Sequence, residues 1–289
     1  MKILVIGNGF LGATIIQKLE SEGHNVLVFS KTFRESQKCQ QIIGDIFDTS
    51  DFTKALSWGP QVIIHTAWVT AHNLYTRDSS NYKYAKFTAE LAQHVVINEL
   101  SHLIVLGSCA EYGLQSVPSV AGKTQLNAGT LYAEQKITAF QSAKESFLNS
   151  NSRLTWARIF QPYGPNQDNK RLVPYLIKSI KDGTQVQLSD TSTVLDWITT
   201  RDIASAILWL VDHDTPVEVD IGTGIGYTNF ELLQFLEATL GISSQWKRIT
   251  PQFLLEKSVS VVGKTSPLFV LGWEPSDNLG SGLDWVLSS

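Results

Sequence analysis

The stretch Lys2-Ile-Leu-Val-Ile-Gly-Asn-Gly-Phe-Leu-Gly12 decides the fold that we predict for this chain. Its first part, Lys2 to Ile6, is a short apolar run rich in β-branched residues, which is typical of a buried strand. Three glycines follow, and Phe10 to Leu19 then has the apolar periodicity of a helix. A strand, a Gly-x-Gly-x-x-Gly turn and a helix in this order form the dinucleotide-binding fingerprint.

Each glycine of this turn has a separate expected task. Gly7 allows the tight turn, Gly9 lets a pyrophosphate approach the backbone, and Gly12 lets the helix pack close to the strand. The start of the helix offers free N–H groups and the positive end of its dipole to the phosphates. A tight strand-to-helix turn without any ligand would use the same glycines and stays the alternative.

The composition limits the class of protein and its partners. The 289 residues include 43% hydrophobic and 17% charged residues, which is usual for a globular protein with a large core. A net charge of −4 gives no electrostatic footprint for nucleic acid. The sequence contains no apolar run of about 18 residues, the length that a membrane span needs, so we predict no membrane span. The six histidines show no metal-ligand spacing, so we predict no metal site.

The cysteines and the first residues suggest where the protein works. Cys39 and Cys109 are the two cysteines, and their wide separation predicts no disulfide framework. The first strand begins at once and leaves no room for a signal peptide. We therefore expect a reducing, cytoplasmic setting.

The residues after the second predicted strand, Asn25–Phe29, bear on the choice of cofactor. An NAD-binding unit usually has an acidic residue here, about 20 residues past the glycines, to hold the ribose 2′-hydroxyl. This chain instead has Ser30, Lys31 and Arg34. Two cations and a hydroxyl suit a 2′-phosphate, so the sequence favours NADP(H), with NAD(H) as the alternative. A solvated basic loop would have the same composition.

Strands alternate with helices along the rest of the chain. Further strands are predicted at Cys39–Ile43, Val62–His65, His102–Gly107, Arg153–Phe160 and Glu218–Ile221, with helices at Tyr82–Asn98 and Thr130–Leu148. This alternation predicts an α/β fold: a Rossmann-like, doubly wound parallel sheet with a smaller C-terminal substrate-binding part. The break at Gln161–Pro165 divides the chain into an NAD(P)-binding domain, 1–165, and a smaller part, 166–289. Segments near 195–222 are expected to return to the main domain.

Three residues form a candidate catalytic group. Tyr132 and Lys136 are four apart on a predicted helix and therefore share a face. An ammonium near a phenol favours the phenolate and lowers the tyrosine pKa. Ser108, at the end of a neighbouring strand, is placed to hydrogen-bond the same substrate oxygen. Beside a nicotinamide, which supplies the hydride, such a trio would interconvert an alcohol and a carbonyl.

The Tyr-x-x-x-Lys pattern occurs twice in the chain, since Tyr82 and Lys86 have the same spacing. Tyr132 follows the strand that ends in Ser108, whereas Tyr82 precedes that strand. Ligands of parallel sheets bind at the carboxyl ends of the strands, so Tyr132 is the predicted catalytic tyrosine.

These motifs together resemble the extended short-chain dehydrogenase/reductase family, in its branch of nucleotide-sugar epimerases, dehydratases and 4-ketoreductases. The likeness extends over nearly the whole chain and implies the roles of further residues. The opening turn, including Phe10 and Leu11, binds the cofactor; Asp45 and Ile46 contact its adenine. Thr66 and Ala67 lie under its nicotinamide side. Lys136, the family lysine, also binds the nicotinamide ribose.

The same resemblance suggests substrate contacts and shows departures from the family. Trp68, Glu111 and Gln161 are candidates for substrate contact. The family arginine that commonly binds the substrate diphosphate is replaced by Leu195. Arg201 or Arg171 is a candidate substitute, and a structural salt bridge is the alternative role for each. The Asp-Glu pair that dehydratases have directly after the serine is also absent, which disfavours 4,6-dehydration.

The predicted function is that of an NAD(P)-dependent oxidoreductase or epimerase of a nucleotide-activated sugar, most specifically a 4-keto-sugar reductase or epimerase. An NADP-dependent reductase of a non-sugar carbonyl is one alternative. A non-catalytic NADP-binding sensor on the same fold is another. We expect neither nucleic acid nor membrane as a partner, and a homodimer through the helices near 84–98 and 130–148 is compatible with the resemblance.

Overall fold

A computed structural model describes residues 1–35, 37–72, 74–189, 191–249, 260–263 and 267–289. Its strands are β1 (Lys2–Ile6), β2 (Asn25–Ser30), β3 (Gln40–Ile43), β4 (Val62–His65), β5 (His102–Ser108), β6 (Arg153–Ile159), β7 (Gln161–Tyr163), β8 (Val186–Leu188), β9 (Val194–Thr199), β10 (Glu218–Ile221), β11 (Gly226–Thr228), β12 (Trp246–Arg248) and β13 (Ser260–Val261). Its helices are α1 (Phe10–Ser21), α2 (Thr49–Leu56), α3 (Ser80–Ile97), α4 (Leu131–Ser146), α5 (Leu172–Lys181), α6 (Thr200–Asp212), α7 (Asn229–Leu240), α8 (Pro267–Val270) and α9 (Leu279–Ser288), with a 3₁₀ turn at Cys109–Tyr112.

The main sheet has seven parallel strands in the order β10-β6-β5-β4-β1-β2-β3. The strand order reverses beside β1, where Ile6 lies between Phe29 of β2 and His65 of β4. This confirms the predicted Rossmann-like sheet. Gly7 and Thr66 directly follow the carboxyl ends of β1 and β4, and doubly wound sheets bind their ligands at the carboxyl ends of their strands.

Helices cover both faces of the sheet, as its strands require. Apart from the edge strand β3, whose residues are exposed or half-buried, the strands are almost wholly buried, because they carry apolar side chains toward both layers. On one face α1 and α6 pack together through residues such as Ile15 and Ile207. On the other face α2, α3 and α4 cover the sheet, with Phe52, Leu91 and Phe140 in the core. Both faces of the sheet are thereby covered by helices.

A second group of elements follows β6 along the chain. β9 pairs with β7, β11 and β13, while β8 pairs with β12. α5, α7 and α9 cover these strands and form a separate core with Leu176, Leu233 and Leu283. β10 then joins the main sheet beside β6.

Two details differ from the sequence-based expectation. Gln161–Tyr163 is a short strand, paired with β9, although Pro162 and Gly164 predict a break in regular structure there. Helix α2, which the sequence analysis did not identify, begins after Asp48, whose carboxylate accepts hydrogen bonds from the N–H groups of Ser50 and Asp51. Within the described ranges, no helix combines the length and apolar character needed to cross a membrane.

Candidate active site and dinucleotide cradle

The glycine turn is held by close packing against the end of β4. Gly7 has φ of +102°, a conformation that favours glycine. The Thr66 hydroxyl lies 3.0 Å from the carbonyl oxygens of both Ile6 and Gly7. A Cβ on Gly7 would come within 2.6 Å of that hydroxyl and 2.8 Å of the Ala67 nitrogen. Thr66 and Ala67 therefore support the turn directly.

The start of α1 has the features of an anion cradle. Gly9 is its N-cap and provides no side chain, and no acidic residue lies in the first turn. The N–H groups of Phe10, Leu11 and Gly12 have no acceptors within the helix itself. A Cβ on Gly9 would meet nothing within 4 Å, whereas one on Gly12 would collide with the Gly7 carbonyl oxygen. Of the three glycines, Gly9 alone has open space beside its Cα, so these residues fit a dinucleotide pyrophosphate.

We expect Gly9→Ala to weaken NAD binding by about tenfold and to leave the unfolding temperature unchanged, because its methyl enters the open cradle. Gly12→Ala should instead lower the unfolding temperature, because its methyl meets backbone. Calorimetric titration with NAD and thermal unfolding measure the two effects. Unchanged NAD affinity in Gly9→Ala would place the pyrophosphate elsewhere.

The residues predicted to surround the adenosine end have partners within the protein. The Ser30 hydroxyl donates to the Thr32 carbonyl oxygen at 2.6 Å. Lys31 forms an exposed ion pair with Asp45 at 3.0 Å. Burial opposes ionisation of Asp45, but the Phe47 N–H and the Lys31 ammonium together keep its pKa below the usual value.

Two further predicted cofactor residues lie on either side of this region. Arg34 is exposed, and its Nε donates to the Asn8 carbonyl oxygen at 3.0 Å, so its guanidinium lies beside the glycine turn. Ile46 is 7% exposed and belongs to the core beneath Asp45. Arg34 is thus a predicted 2′-phosphate ligand that is hydrogen-bonded to the glycine turn itself.

The fold brings the three predicted catalytic residues together. Ser108 ends β5 and caps the 3₁₀ turn, where its hydroxyl accepts a hydrogen bond from the Ala110 N–H. Tyr132 and Lys136 lie on α4, which packs beside β5. The Ser108 hydroxyl is near enough to the Tyr132 phenol to lower its pKa. A reacting hydroxyl or carbonyl could therefore contact both groups at once.

The expected lowering of the Tyr132 pKa is wrong for this structure. Burial raises the pKa of Tyr132, and the nearby Ser108 hydroxyl offsets only part of that effect. The Lys136 ammonium lies 6.0 Å from the centre of the Tyr132 ring and donates to the Leu106 carbonyl oxygen at 2.6 Å. Burial lowers the pKa of Lys136 to about 7, against the influence of Glu111, so Lys136 titrates near neutral pH.

Glu111 is not placed for the predicted substrate contact. Its side chain is fully buried, and its carboxylate accepts hydrogen bonds from Arg158, Trp156 and the Ser108 N–H, at 2.7, 3.0 and 2.7 Å respectively. The sequence could not reveal this because Arg158 and Trp156 belong to the next strand of the sheet. Glu111 instead holds the backbone of Ser108 from below.

The other predicted substrate residues surround Tyr132 at different distances. Trp68 is only 8% exposed and contacts the Tyr132 ring edge to face, with centres 6.3 Å apart. Gln161 is half-buried and its amide lies 3.9 Å from the Cys109 sulfur, in the turn after Ser108. Gln161 is therefore close to the predicted catalytic serine, whereas Trp68 packs beneath the tyrosine.

Arg171 reaches the site from the start of α5. Its guanidinium donates to the Thr70 carbonyl oxygen at 3.0 Å and lies 5.2 Å from the centre of the Tyr75 ring. That ring meets the Tyr132 ring edge to face at 5.1 Å. Tyr75 could not be recognised from the sequence, because its segment carries no motif and lies between predicted elements. Arg171 and Tyr75 thus form one wall beside Tyr132.

Leu195 stands where the resemblance places an arginine, and Asp196 follows it in β9. Leu195 is half-buried and packs against apolar residues near the 3₁₀ turn. Asp196 is fully buried and accepts hydrogen bonds from the N–H groups of Thr223 and Gly224 at 2.7 and 3.0 Å. The aspartate therefore anchors a loop, and the neighbouring position contributes an apolar surface.

Comparisons with known proteins agree with this geometry. The model of the NAD dependent epimerase/dehydratase family matches residues 3–222, most of the chain. A UDP-glucose 4-epimerase of Lactobacillus helveticus is 23% identical over 305 residues, covering 95% of this chain and 92% of that protein.

Solved structures show the same fold. A Thermus thermophilus UDP-glucose 4-epimerase in complex with NAD superposes with a TM-score of 0.85 at 19% identity, covering 100% of this chain and 98% of that one. A Bacillus anthracis dTDP-glucose 4,6-dehydratase in complex with NAD also gives 0.85, at 20% identity, with 100% and 96% covered. The family match over most of the chain, together with the glycine cradle in a Rossmann-like sheet, shows that the chain belongs to the NAD dependent epimerase/dehydratase family and is an NAD-dependent enzyme of the extended short-chain dehydrogenase/reductase type.

Proposed function

We propose that this enzyme oxidises or reduces ring carbon 4 of a nucleotide-activated sugar, as a 4-keto-sugar reductase or a 4-epimerase. The observation that carries the proposal is the grouping of Ser108, Tyr132 and Lys136 at the same sheet edge as the glycine cradle. Relatives named as UDP-glucose 4-epimerases support the substrate class.

Each residue of the group has a distinct task in this reaction. The bound dinucleotide supplies or accepts the hydride at the sugar carbon. Tyr132 transfers the proton at the sugar oxygen, and Ser108 orients that oxygen by hydrogen bonding. Lys136 holds positive charge beneath the site and binds the nicotinamide ribose. The raised pKa of Tyr132 keeps the free enzyme in its phenol form, which is the proton-donating form needed for ketone reduction.

The direct test is turnover of defined substrates. Purified enzyme is incubated with NAD or NADPH and with UDP-glucose, UDP-glucuronic acid, dTDP-glucose or a 4-keto-6-deoxy nucleotide sugar, and products are identified by NMR. The same sugars without nucleotide serve as controls. Interconversion at carbon 4 that requires the nucleotide supports the proposal, and turnover of none of these compounds contradicts it.

Leu195 favours one second candidate, an NADP-dependent reductase of a non-sugar carbonyl. Its half-buried apolar side chain occupies the position where the family commonly has an arginine for the diphosphate. A panel of aliphatic and aromatic ketones, added with NADPH, separates the candidates. Reduction of these ketones with no turnover of nucleotide sugars would favour the second function.

NADP(H) is the proposed preferred cofactor, because Arg34 places a cation beside the cradle. We expect Arg34→Ala to weaken NADPH binding by about tenfold and NADH binding by less than about twofold, since only NADPH carries the 2′-phosphate. Calorimetric titration of both proteins with both cofactors measures the ratio. Tighter NADH binding by the unchanged enzyme would reject the preference and favour an epimerase that recycles its cofactor.

A further inference from the structure

The ammonium of Lys136 has an aromatic partner that does not belong to its own helix. Lys136 is only 4% exposed, and its Nζ lies 3.8 Å from the centre of the Trp68 ring. Trp68 comes from the segment after β4. An ammonium over an indole face is attracted by the ring quadrupole, and the attraction is largest where water is excluded. Lys136 and Trp68 therefore form a buried cation–π pair.

The charged groups around Lys136 make this pair important. Glu111 faces it from the 3₁₀ turn, but its carboxylate is already paired with Arg158 at 2.7 Å. His65 faces it from β4 and is neutral, because burial lowers its pKa to about 3. Tyr132, on the same helix, is kept as a neutral phenol by burial. A buried ammonium without a carboxylate of its own depends on neutral partners.

The indole itself is fixed in place by a polar anchor. Its N–H donates to the Asn81 side-chain oxygen at 2.7 Å, and Asn81 is fully buried. The Asn81 amide in turn donates to the carbonyl oxygens of Tyr75 and Asp78, both at 2.7 Å. Tyr84 stacks on the indole at 5.6 Å. The ring is thus held before any ligand binds.

We propose that Trp68 is a positioning residue for Lys136. Its fixed indole face keeps the ammonium charged and, together with the Leu106 carbonyl, holds it beside the carboxyl end of β5. This role rests on the proposed function for its consequence in catalysis, although the pairing itself does not depend on any substrate. It assigns Trp68 to the support of the site, in place of the substrate contact suggested by the sequence, and makes Asn81 its anchor.

The test measures the titration of Lys136 directly. Protein labelled with ¹³C-lysine is titrated while the lysine Cε signals are followed by NMR, and the Lys136 signal is identified by its loss in Lys136→Arg. Trp68→Leu should lower the pKa of Lys136 by about 1 pH unit, because the charged form loses the ring. Trp68→Phe, which keeps a smaller aromatic face, should lower it by less.

A second cation–π pair provides the matched control. Lys2 lies 5.2 Å from the centre of the Trp58 ring, away from the sheet edge that carries the site. Trp58→Leu should leave the Lys136 titration unchanged. An unchanged or raised pKa of Lys136 in Trp68→Leu overturns the proposal, since a rise would mean that the ring acts by excluding water. If Trp68→Leu does not fold, Trp68→Phe decides in the same way.

The same variants separate this inference from the proposed function. A lowered Lys136 pKa in a protein that turns over no nucleotide sugar would uphold the pairing and reject only the substrate. Normal turnover at carbon 4 with an unchanged Lys136 pKa would reject the pairing and uphold the substrate. In an active enzyme, the limb of the pH–rate profile that reports Lys136 should move with the NMR pKa.

Discussion

Tyr132→Phe is expected to lower kcat by a factor of about 10² to 10⁴ while NAD binding stays close to that of the unchanged enzyme. The substitution removes one oxygen, which is the predicted proton donor beside Ser108. The ring contacts with Trp68 and Tyr75 remain, so the site keeps its shape. Steady-state kinetics on the substrate found by the turnover panel, with calorimetric titration of NAD, measure the two effects.

The second Tyr-x-x-x-Lys copy supplies the matched control. Tyr82 is 56% exposed on α3, and Lys86 pairs with Glu90 at the surface at 3.6 Å. Tyr82→Phe should therefore leave kcat, KM and NAD affinity unchanged. Equal activity in Tyr132→Phe and Tyr82→Phe would remove Tyr132 from the reaction, and loss of NAD binding in Tyr132→Phe would assign it to the cofactor instead.

The main sheet could be predicted because its central strands, such as β1 and β4, are apolar runs that end at a turn or at small residues. Lys2–Ile6 and Val62–His65 needed no tertiary information, since both strands are buried on both faces. The strands β7 and β9 could not be predicted in the same way. Gln161–Tyr163 is three residues long, contains a proline and becomes a strand only by pairing with β9.

The candidate site also combines features that local sequence predicts with features that depend on tertiary contacts. The positions of Ser108, Tyr132 and Lys136 follow from strand ends and helical spacing, which are local properties of the sequence. The direction of the Lys136 side chain does not, because its partners, the Leu106 carbonyl and the Trp68 ring, come from other elements. Spacing therefore predicted that the tyrosine and the lysine share one helix face, but it gave the wrong direction for the tyrosine pKa.

The buried pair beneath Ser108 is the clearest case of a tertiary contact that the sequence conceals. Glu111 and Arg158 are both fully buried, and their side chains meet at 2.7 Å. Arg158 also pairs with Glu218 at 2.9 Å, so it joins β10 to the 3₁₀ turn. Removing one partner of a buried pair leaves a charge that neither water nor protein solvates, which costs more than the intact pair contributes.

We therefore expect Glu111→Gln to lower the free energy of unfolding by about 3 kcal/mol. This value is near the lower end of the range of costs for breaking a buried ion pair, because Glu218 still faces Arg158. The new amide nitrogen would also confront the Trp156 and Ser108 N–H donors. Urea unfolding followed by circular dichroism measures the loss.

Glu90→Gln, which breaks the exposed pair with Lys86, is the control and should cost less than about 0.5 kcal/mol. The double variant Glu111→Leu, Arg158→Met should recover much of the stability, because it removes both buried charges together. A loss in Glu111→Gln no larger than that in Glu90→Gln would mean that water reaches Arg158 in solution. The Ser108 backbone would then owe its position to β5 alone, and Glu111→Gln would leave kcat unchanged as well.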